Sequence, residues 1–327
     1  MSMAMMNMVQ AINLALREEM ERDPSVLCLG EDVGVDGGVF RVTEGLFDRF
    51  GRERVLDTPL AESNIVGTAI GMAMNGLRPV AEIQFMGFIY PAYQQLISHA
   101  ARMRNRTRGR ISLPLVVRTP YGAGVKALEH HSESTEAIFC HIPGLKVVVP
   151  STPLEAKGLL ASSIRDPDPV LFLEPTRSYR LLKEEVPEGE YLVPLGQARR
   201  VRQGKDVTIV GWGAMLPVIQ KAVEALEREG IAPEVLDPRT LSPMDHASIV
   251  ESVKRTGRCV VVHEAPRTCG LGAEISARVM EGALLSLQAP VERVTAPDIT
   301  VPLPKGEHHY YITPERIANA IRRTISF

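Results

Sequence analysis

"DTPLAESNIVGTAIGMAMNGLRPVAEIQF", residues 57–85, holds the end of one strand, a helix of small residues and a second strand. Val55–Asp57 and "PVAEIQF" (79–85) are short, apolar runs, and a helix-like segment lies between them. Alternation of this kind, with β-branched strands, predicts a parallel sheet covered by helices on both faces. Glu62 stands at the mouth of the helix, and Gly67, Thr68, Ala69, Gly71 and Ala73 follow it. A carboxylate in the first turn of a helix is favoured by the dipole and needs no other explanation. The sharper reading is an acid that exchanges a proton with a bound heterocycle. The small residues, with Gly67 and Gly71 one turn apart, would let another helix come close.

The same alternation extends in both directions. Val9, Ile12, Ala15, Leu16 and Met20 repeat at helical spacing, and that helix should stop at Asp23-Pro24. "VLCLG" (26–30), "LPLVVR" (113–118), "LKVVVP" (145–150) and "VLFLE" (170–174) read as strands. Thr152, Pro153 and Glu155 are placed for a capping box. Residues 176–206 are charged, contain Pro187 and Pro194, and break the rhythm. The predicted organisation is a domain over 1–185, a linker over 186–206 and a second α/β domain over 207–327. In the second domain "VTIVG" (207–211), "EVLD" (234–237) and "CVVVHE" (259–264) are the strands, and Thr313-Pro314 opens the last helix.

Two domains also suit a chain of 327 residues. The 45% hydrophobic and 23% charged content is that of an ordinary globular protein. Net charge is −2, and no basic stripe or nucleic-acid motif is present, so nucleic acid is not an expected partner. The basic cluster from Arg102 to Arg110 is interrupted by Met103, Asn105, Thr107 and Gly109 and reads as a solvated helix end. Cys28, Cys140, Cys259 and Cys269 form no CxxC pair, which argues against a disulfide framework. The start "MSMAMMNMVQ" lacks a basic region and a cleavage site, and no apolar run approaches a membrane span. A cytoplasmic enzyme is expected.

In open α/β sheets ligands sit beyond the carboxyl ends of the strands. That rule selects the loops at 30–38, 57–62, 84–88 and 118–131, and Glu174. His130 and His131 lie in "YGAGVKALEHHSES" (121–134), where Ser132 or Ser134 could cap the next helix. A helix N-terminus disfavours imidazolium and would suit a neutral catalytic histidine; a polar loop histidine is the alternative. "GWGA" (211–214) and "GLGA" (270–273) are incomplete dinucleotide fingerprints and read as tight turns, leaving nucleotide binding at Gly211 or Gly270 as a rival function. Asp166 and Asp168 in "SSIRDPDP" (162–169) suit a turn, or a monovalent cation held with nearby carbonyls.

Taken together, "LGEDVG", "GVFRVTEGL", the stretch 57–85, "LPLVVRTPYGAG", "HHSESTEAIFCHIPGLKVVVPSTPLEAKGLL", "VLFLEP" and "HEAPRTCGLGAEI" resemble one family. It is the beta subunit of the decarboxylating component of 2-oxoacid dehydrogenase complexes, and the match is collinear from about residue 8 to the C-terminus. The resemblance implies a transketolase-like fold, with a pyrimidine-binding domain followed by a transketolase C-terminal domain. It implies thiamine diphosphate held between two different subunits, the alpha subunit supplying the magnesium and diphosphate site. Asp36 and Asn64 only mimic the magnesium motif, because Asp36 does not directly follow a strand and the second Asn is missing. An alpha2beta2 heterotetramer with a beta–beta contact, bound to a lipoyl transacylase core, is the implied assembly.

The resemblance also assigns residues. Glu62 matches the carboxylate that hydrogen-bonds the aminopyrimidine ring, and Leu60, Gln84 and Phe88 match positions around that ring. Phe88 stands where branched-chain members have a tyrosine, and Met86-Gly87 replace Ala-Asp. His131 matches the loop histidine that serves reductive acylation of lipoyl-lysine. Asp166 and Asp168, with the Leu115 carbonyl, match a structural potassium site. A branched-chain 2-oxoacid such as 3-methyl-2-oxobutanoate is the favoured substrate, with pyruvate or acetoin dehydrogenase, or a non-catalytic assembly subunit, as alternatives.

Overall fold

All five residues of the strand Val26–Gly30 are buried, so neither of its faces can meet water. In the computed structural model, which describes residues 2–327, this strand pairs in parallel with Val55–Asp57 on one side and Arg78–Glu82 on the other. The complete sheet has seven strands, in the order Thr240–Ser242, Lys146–Val148, Val170–Pro175, Val116–Tyr121, Arg78–Glu82, Val26–Gly30, Val55–Asp57. Its two faces follow from the two-residue period of a strand. Val26 and Cys28 pack with Met8, Ile12 and Leu16 of the helix Met8–Arg22 and with Leu159 of the helix Pro153–Arg165. Leu27 and Leu29 point the other way, onto Ile65, Val66 and Ala69 of the helix Glu62–Met74.

The second sheet runs Glu292–Ala296, Cys259–Pro266, Val207–Gly211, Pro233–Asp237, Arg199–Arg202. Its first four strands are parallel, and Arg199–Arg202 is added antiparallel at the edge. The stretch 186–206, expected as a linker, is therefore not free chain. Glu184–Pro187 pairs with Met3–Met6, and Arg199–Arg202 belongs to the second sheet. Its "RRVR" pattern alternates half-buried and exposed residues, as a charged edge strand does, and lacks the apolar content that marks central strands.

Two further expectations change. Thr152 does cap the helix Pro153–Arg165, accepting from Glu155 N at 3.3 Å. The Glu155 carboxylate does not close the capping box; it accepts from Arg239 Nη1 at 3.1 Å and pairs with Arg199 at 3.3 Å. The short strand Thr240–Ser242, from the second half of the chain, runs antiparallel to Lys146–Val148 and completes the first sheet. One apolar cluster accordingly spans the seam, joining Val147, Leu171 and Phe139 to Leu236, Leu241 and Ile249.

Beneath the carboxyl ends of the central strands lies a buried ionic cluster. Arg118 is only 1% exposed. Its Nε and Nη2 donate to the two oxygens of Glu174 at 2.7 Å each, its Nη1 donates to Glu82, and the Tyr179 hydroxyl donates to Glu174. Burial pushes the Glu82 carboxyl above its ordinary value although Arg118 opposes the shift. Removing one partner of such a cluster leaves buried charge uncompensated. Arg118→Met is therefore expected to destabilise the chain by about 3–5 kcal/mol, read as a lowered urea midpoint. A loss below about 1 kcal/mol would show that the cluster does not organise the sheet.

At the seam, Glu136 is buried with neither carboxylate oxygen hydrogen-bonded, and burial pushes its pKa up to about 7. Its folded pKa lies above the unfolded value, so the neutral form stabilises the fold at low pH, and this is lost as pH rises through about 7. Glu136→Gln keeps the shape and cannot ionise. Relative to wild type the variant should gain on the order of 3 kcal/mol between pH 4.5 and pH 8.5, in denaturant titrations at each pH. A gap that stays constant with pH contradicts the assignment.

Candidate active site

The strand Val55–Asp57 ends in an acid whose carboxylate organises the neighbouring loop. Asp57 Oδ1 accepts from Gly34 N at 2.6 Å, and Oδ2 accepts from Val35 N at 3.3 Å. Glu62 is the first residue of the helix Glu62–Met74, whose N-cap, Ala61, has no side chain to satisfy the end. The side-chain hydrogen bonds on this helix run from Ser63 to Pro91 O and from Asn75 to Gly71 O; none engages the Glu62 carboxylate. Leu60, just before it, is 72% exposed.

The next loop edge is supplied by Glu31 and Asp32. Burial, and then the charges of Asp32 and Glu62, raise the Glu31 carboxyl above its usual range. Asp32 Oδ2 in turn accepts from Gln84 Nε2 at 3.3 Å. Glu62 and Gln84 thus lie at the same end of the sheet, with Glu31 near the first and Asp32 bonded to the second. The strand expected over 79–85 is shorter than that: Arg78–Glu82 ends early, and the chain turns through Met86–Phe88 and Tyr90–Ala92.

His131 reaches this edge from a loop closed by Gly122 N donating to Glu133 O at 2.8 Å. It lies in the single turn Glu129–His131, and its ring meets Phe85 edge-on at 4.5 Å and Phe88 at 5.2 Å between centroids. The approach is close because position 87 has no side chain: a Cβ on Gly87 would stand 2.2 Å from the His130 carbonyl oxygen. Burial first, and the neighbouring His130 second, lower the His131 pKa, which favours the neutral imidazole. Its Nδ1 is buried without a partner. The helix-end argument is not the reason. The helix Glu136–Cys140 is capped by Thr135 without a side-chain bond, and neither Ser132 nor Ser134 caps it.

Phe88 and His131 are therefore in ring contact, and Glu62, Gln84 and Leu60 lie along the adjoining loops. Phe85 and Asp32 were not singled out by sequence reasoning, and Gly87 only as a departure from the branched-chain pattern. Their roles arise from contacts across 43 to 52 positions of chain, with no local pattern to announce them. The cavities of about 240 to 950 Å³ lie elsewhere, and none is lined by Leu60, Glu62, Gln84, Phe88 or His131.

The turn at 166–168 corrects an expectation. Asp166 accepts from Lys146 Nζ at 2.6 and 2.7 Å, and Asp168 pairs with Arg104. The Leu115 carbonyl accepts from Val170 N at 2.9 Å. Both carboxylates already face a cationic side chain, so this arrangement does not fit a potassium ion, and none is assigned. Among the described residues no group of three or more His, Cys, Asp or Glu side chains is arranged to hold a metal, and no helix is long and apolar enough to cross a membrane. Glu62 as an acceptor, Gln84 as an amide, Leu60 as an apolar contact and the Phe88 ring do fit an aminopyrimidine.

Residues 4–181 match the transketolase pyrimidine-binding domain and residues 196–317 the transketolase C-terminal domain. The chain is 54% identical over 321 residues to the pyruvate dehydrogenase E1 component subunit beta of Acholeplasma laidlawii, covering 98% of each. It is 47% identical to the 2-oxoisovalerate dehydrogenase subunit beta of Bacillus subtilis (strain 168), covering 99% of this chain and all of that one. Among solved structures, a chain described as a split-gene transketolase, inactive beta4 tetramer, has the same fold, with a TM-score of 0.81 at 23% identity over 99% of both chains. The two domains in order, the loops they carry and the full-length identity place this chain in the family of beta subunits of 2-oxoacid dehydrogenase E1 components, with a transketolase-like fold.

Proposed function

We propose that this chain is the beta half of a thiamine diphosphate-dependent E1 component that decarboxylates pyruvate and passes the acyl group to lipoyl-lysine. The observation that carries this reading is the Glu62 carboxylate, without a hydrogen-bond partner among the described residues, at the same carboxyl end of the sheet as Gln84 and the Phe88–His131 ring pair. Thiamine diphosphate, when bound, supplies the electron sink that lets carbon dioxide leave a 2-oxoacid. Glu62 is the residue that would hold the aminopyrimidine of that cofactor through a hydrogen bond and exchange a proton at its carboxylate. Leu60 and Phe88 would supply apolar contacts around that ring, and Gln84, whose amide donates to Asp32, would help to orient it. His131, whose pKa is lowered by burial and by His130, would offer a ring nitrogen to the acyl-transfer step.

Pyruvate is preferred to the branched-chain substrate because the relative named for it is 54% identical, against 47% for the 2-oxoisovalerate relative. Phe88 in place of the branched-chain tyrosine points the same way. The open site argues for an alpha subunit that completes it and brings magnesium and the diphosphate site, in an alpha2beta2 assembly. The face of the helix Glu62–Met74 that carries Gly67 and Gly71 has nothing within 4 Å of where a Cβ would sit, which leaves room for a second subunit to approach. The C-terminal domain is the proposed docking face for the transacylase core.

In the enzyme assembled with an alpha subunit, Glu62→Gln should lower decarboxylation by at least about a hundredfold while assembly and melting are kept. Turnover near that of wild type would reject the role. His131→Ala should slow acylation of a free lipoyl domain by about a hundredfold and decarboxylation with an artificial electron acceptor much less. Equal loss in the two assays contradicts the split. The substrate is decided by kcat/KM for pyruvate against 3-methyl-2-oxobutanoate, with pyruvate expected to be the larger.

A further inference from the structure

The loop that carries His131 belongs to the first domain, but the second domain holds its root. Three consecutive residues show this. Gly122, with φ +88°, lies so close to Glu264 that a Cβ there would stand 2.5 Å from the carboxylate. Ala123 is fully buried in a small apolar cluster with Ala296, Val301 and Tyr310. Gly124 N donates to Glu307 Oε1 at 2.6 Å, across 183 positions of chain. Glu264, Ala296, Val301, Glu307 and Tyr310 all come from the C-terminal domain.

The contact at Gly124 is the most constrained of the three. Gly124 has φ +119°, and a Cβ would fall 2.3 Å from the Arg177 side chain, so the backbone is walled on one side and bonded on the other. Arg177 is itself seated over the Tyr311 ring at 4.5 Å. Glu307 is 2% exposed and is presented by the turn Glu307–His309, which is braced by Gly306 N donating to Leu303 O at 2.8 Å. A carboxylate accepting from a backbone N–H is a strong hydrogen bond, and burial makes its loss costly. Beyond this root, residues 125–128 lead to His131, whose other described support is the docking of the turn on Gly87 and Phe85.

We infer that Glu307 of the C-terminal domain is a positioning residue for the His131 loop, so the second domain takes part in acyl transfer without touching the reactants. This rests on the acyl-transfer role proposed above for His131. A displacement of about 1 Å at a reacting group can cost a hundredfold in rate, so loosening the root is enough to matter.

The test uses the holoenzyme assembled with its alpha subunit. Glu307→Ala should lower kcat for lipoyl-domain acylation by about tenfold to a hundredfold, with KM and acceptor-linked decarboxylation held within about twofold. Glu307→Gln keeps an acceptor oxygen at the same reach and should restore most of the rate. Hydrogen exchange at residues 124–131 should quicken in Glu307→Ala and not in Glu307→Gln. The double variant Glu307→Ala/His131→Ala should be no slower than His131→Ala, because both changes act on one group. Acylation at the wild-type rate in an assembled Glu307→Ala enzyme overturns the inference, as does a double variant that loses the full product of the two factors. If Glu307→Ala fails to assemble, Glu307→Asp, which keeps the charge and shortens the reach, is judged by the same outcomes. If His131→Ala acylates normally, the reading of His131 fails and takes the acyl-transfer part of the inference with it. The exchange data then decide whether Glu307 holds the loop, and unchanged exchange refutes that too.

Discussion

Three of the strands beneath the candidate site are tied together by one buried guanidinium. Arg118 joins Glu82 to Glu174, and the three residues lie on three adjacent parallel strands. Two of those strands lead into loops that carry candidate site residues, Gln84 and Phe88 after the first and His131 after the second, and the third leads to Arg177, which walls the root of the His131 loop. Parallel strands align their carboxyl ends but do not by themselves set the height at which each loop leaves the sheet. A bidentate pair with a third carboxylate does, because its geometry fails if one strand slips by a residue. The ionic cluster is costly to desolvate, so its place under the site is better understood as register than as stability.

The two domains are less separable than their order in the chain suggests. The strand Thr240–Ser242 extends the first sheet, Arg239 reaches Glu155 across the seam, and one apolar cluster contains residues of both halves. The three contacts at Gly122, Ala123 and Gly124 continue this pattern to the site itself. A glycine-rich root would be free to move if it were solvated. Here each glycine is pinned by a neighbour that leaves no space for a side chain, so glycine serves close approach rather than flexibility.

Much of this was legible in the chain. Buried parallel strands show as continuous apolar runs, and "VLCLG" and "VLFLE" became strands at those positions. Thr152-Pro153 and Thr313-Pro314 mark helix starts because capping is a local interaction. Long-range relations were not legible. "RRVR" has too few apolar residues to declare itself a strand until a partner strand is known. Glu155 looks like half of a capping box until Arg239, 84 positions away, claims it. The acids at 166 and 168 looked available for an ion because nothing local shows that Lys146 and Arg104 fold onto them. For the site, Glu62, Gln84, Phe88 and His131 came from a family resemblance. The spacing of residues alone left Glu62 and His131 each with an ordinary structural explanation.

The open character of the site follows from the same geometry. A carboxylate at a helix start, an exposed leucine and a half-buried aromatic ring line an edge rather than a cavity. Among the described residues Glu62 has no hydrogen-bond donor, whereas Asp57 accepts from Gly34 N and Val35 N and Asp32 accepts from Gln84. Such an edge, with the Arg118 cluster bracing the three strands beside it and Glu307 the root of the His131 loop, has the form of a half-site. It is rigid enough to orient a ring and lacks the second wall that would exclude water. Room for such a wall lies along the bare glycine face of the helix that begins at Glu62, where Gly67 and Gly71 have nothing within 4 Å of where a Cβ would sit.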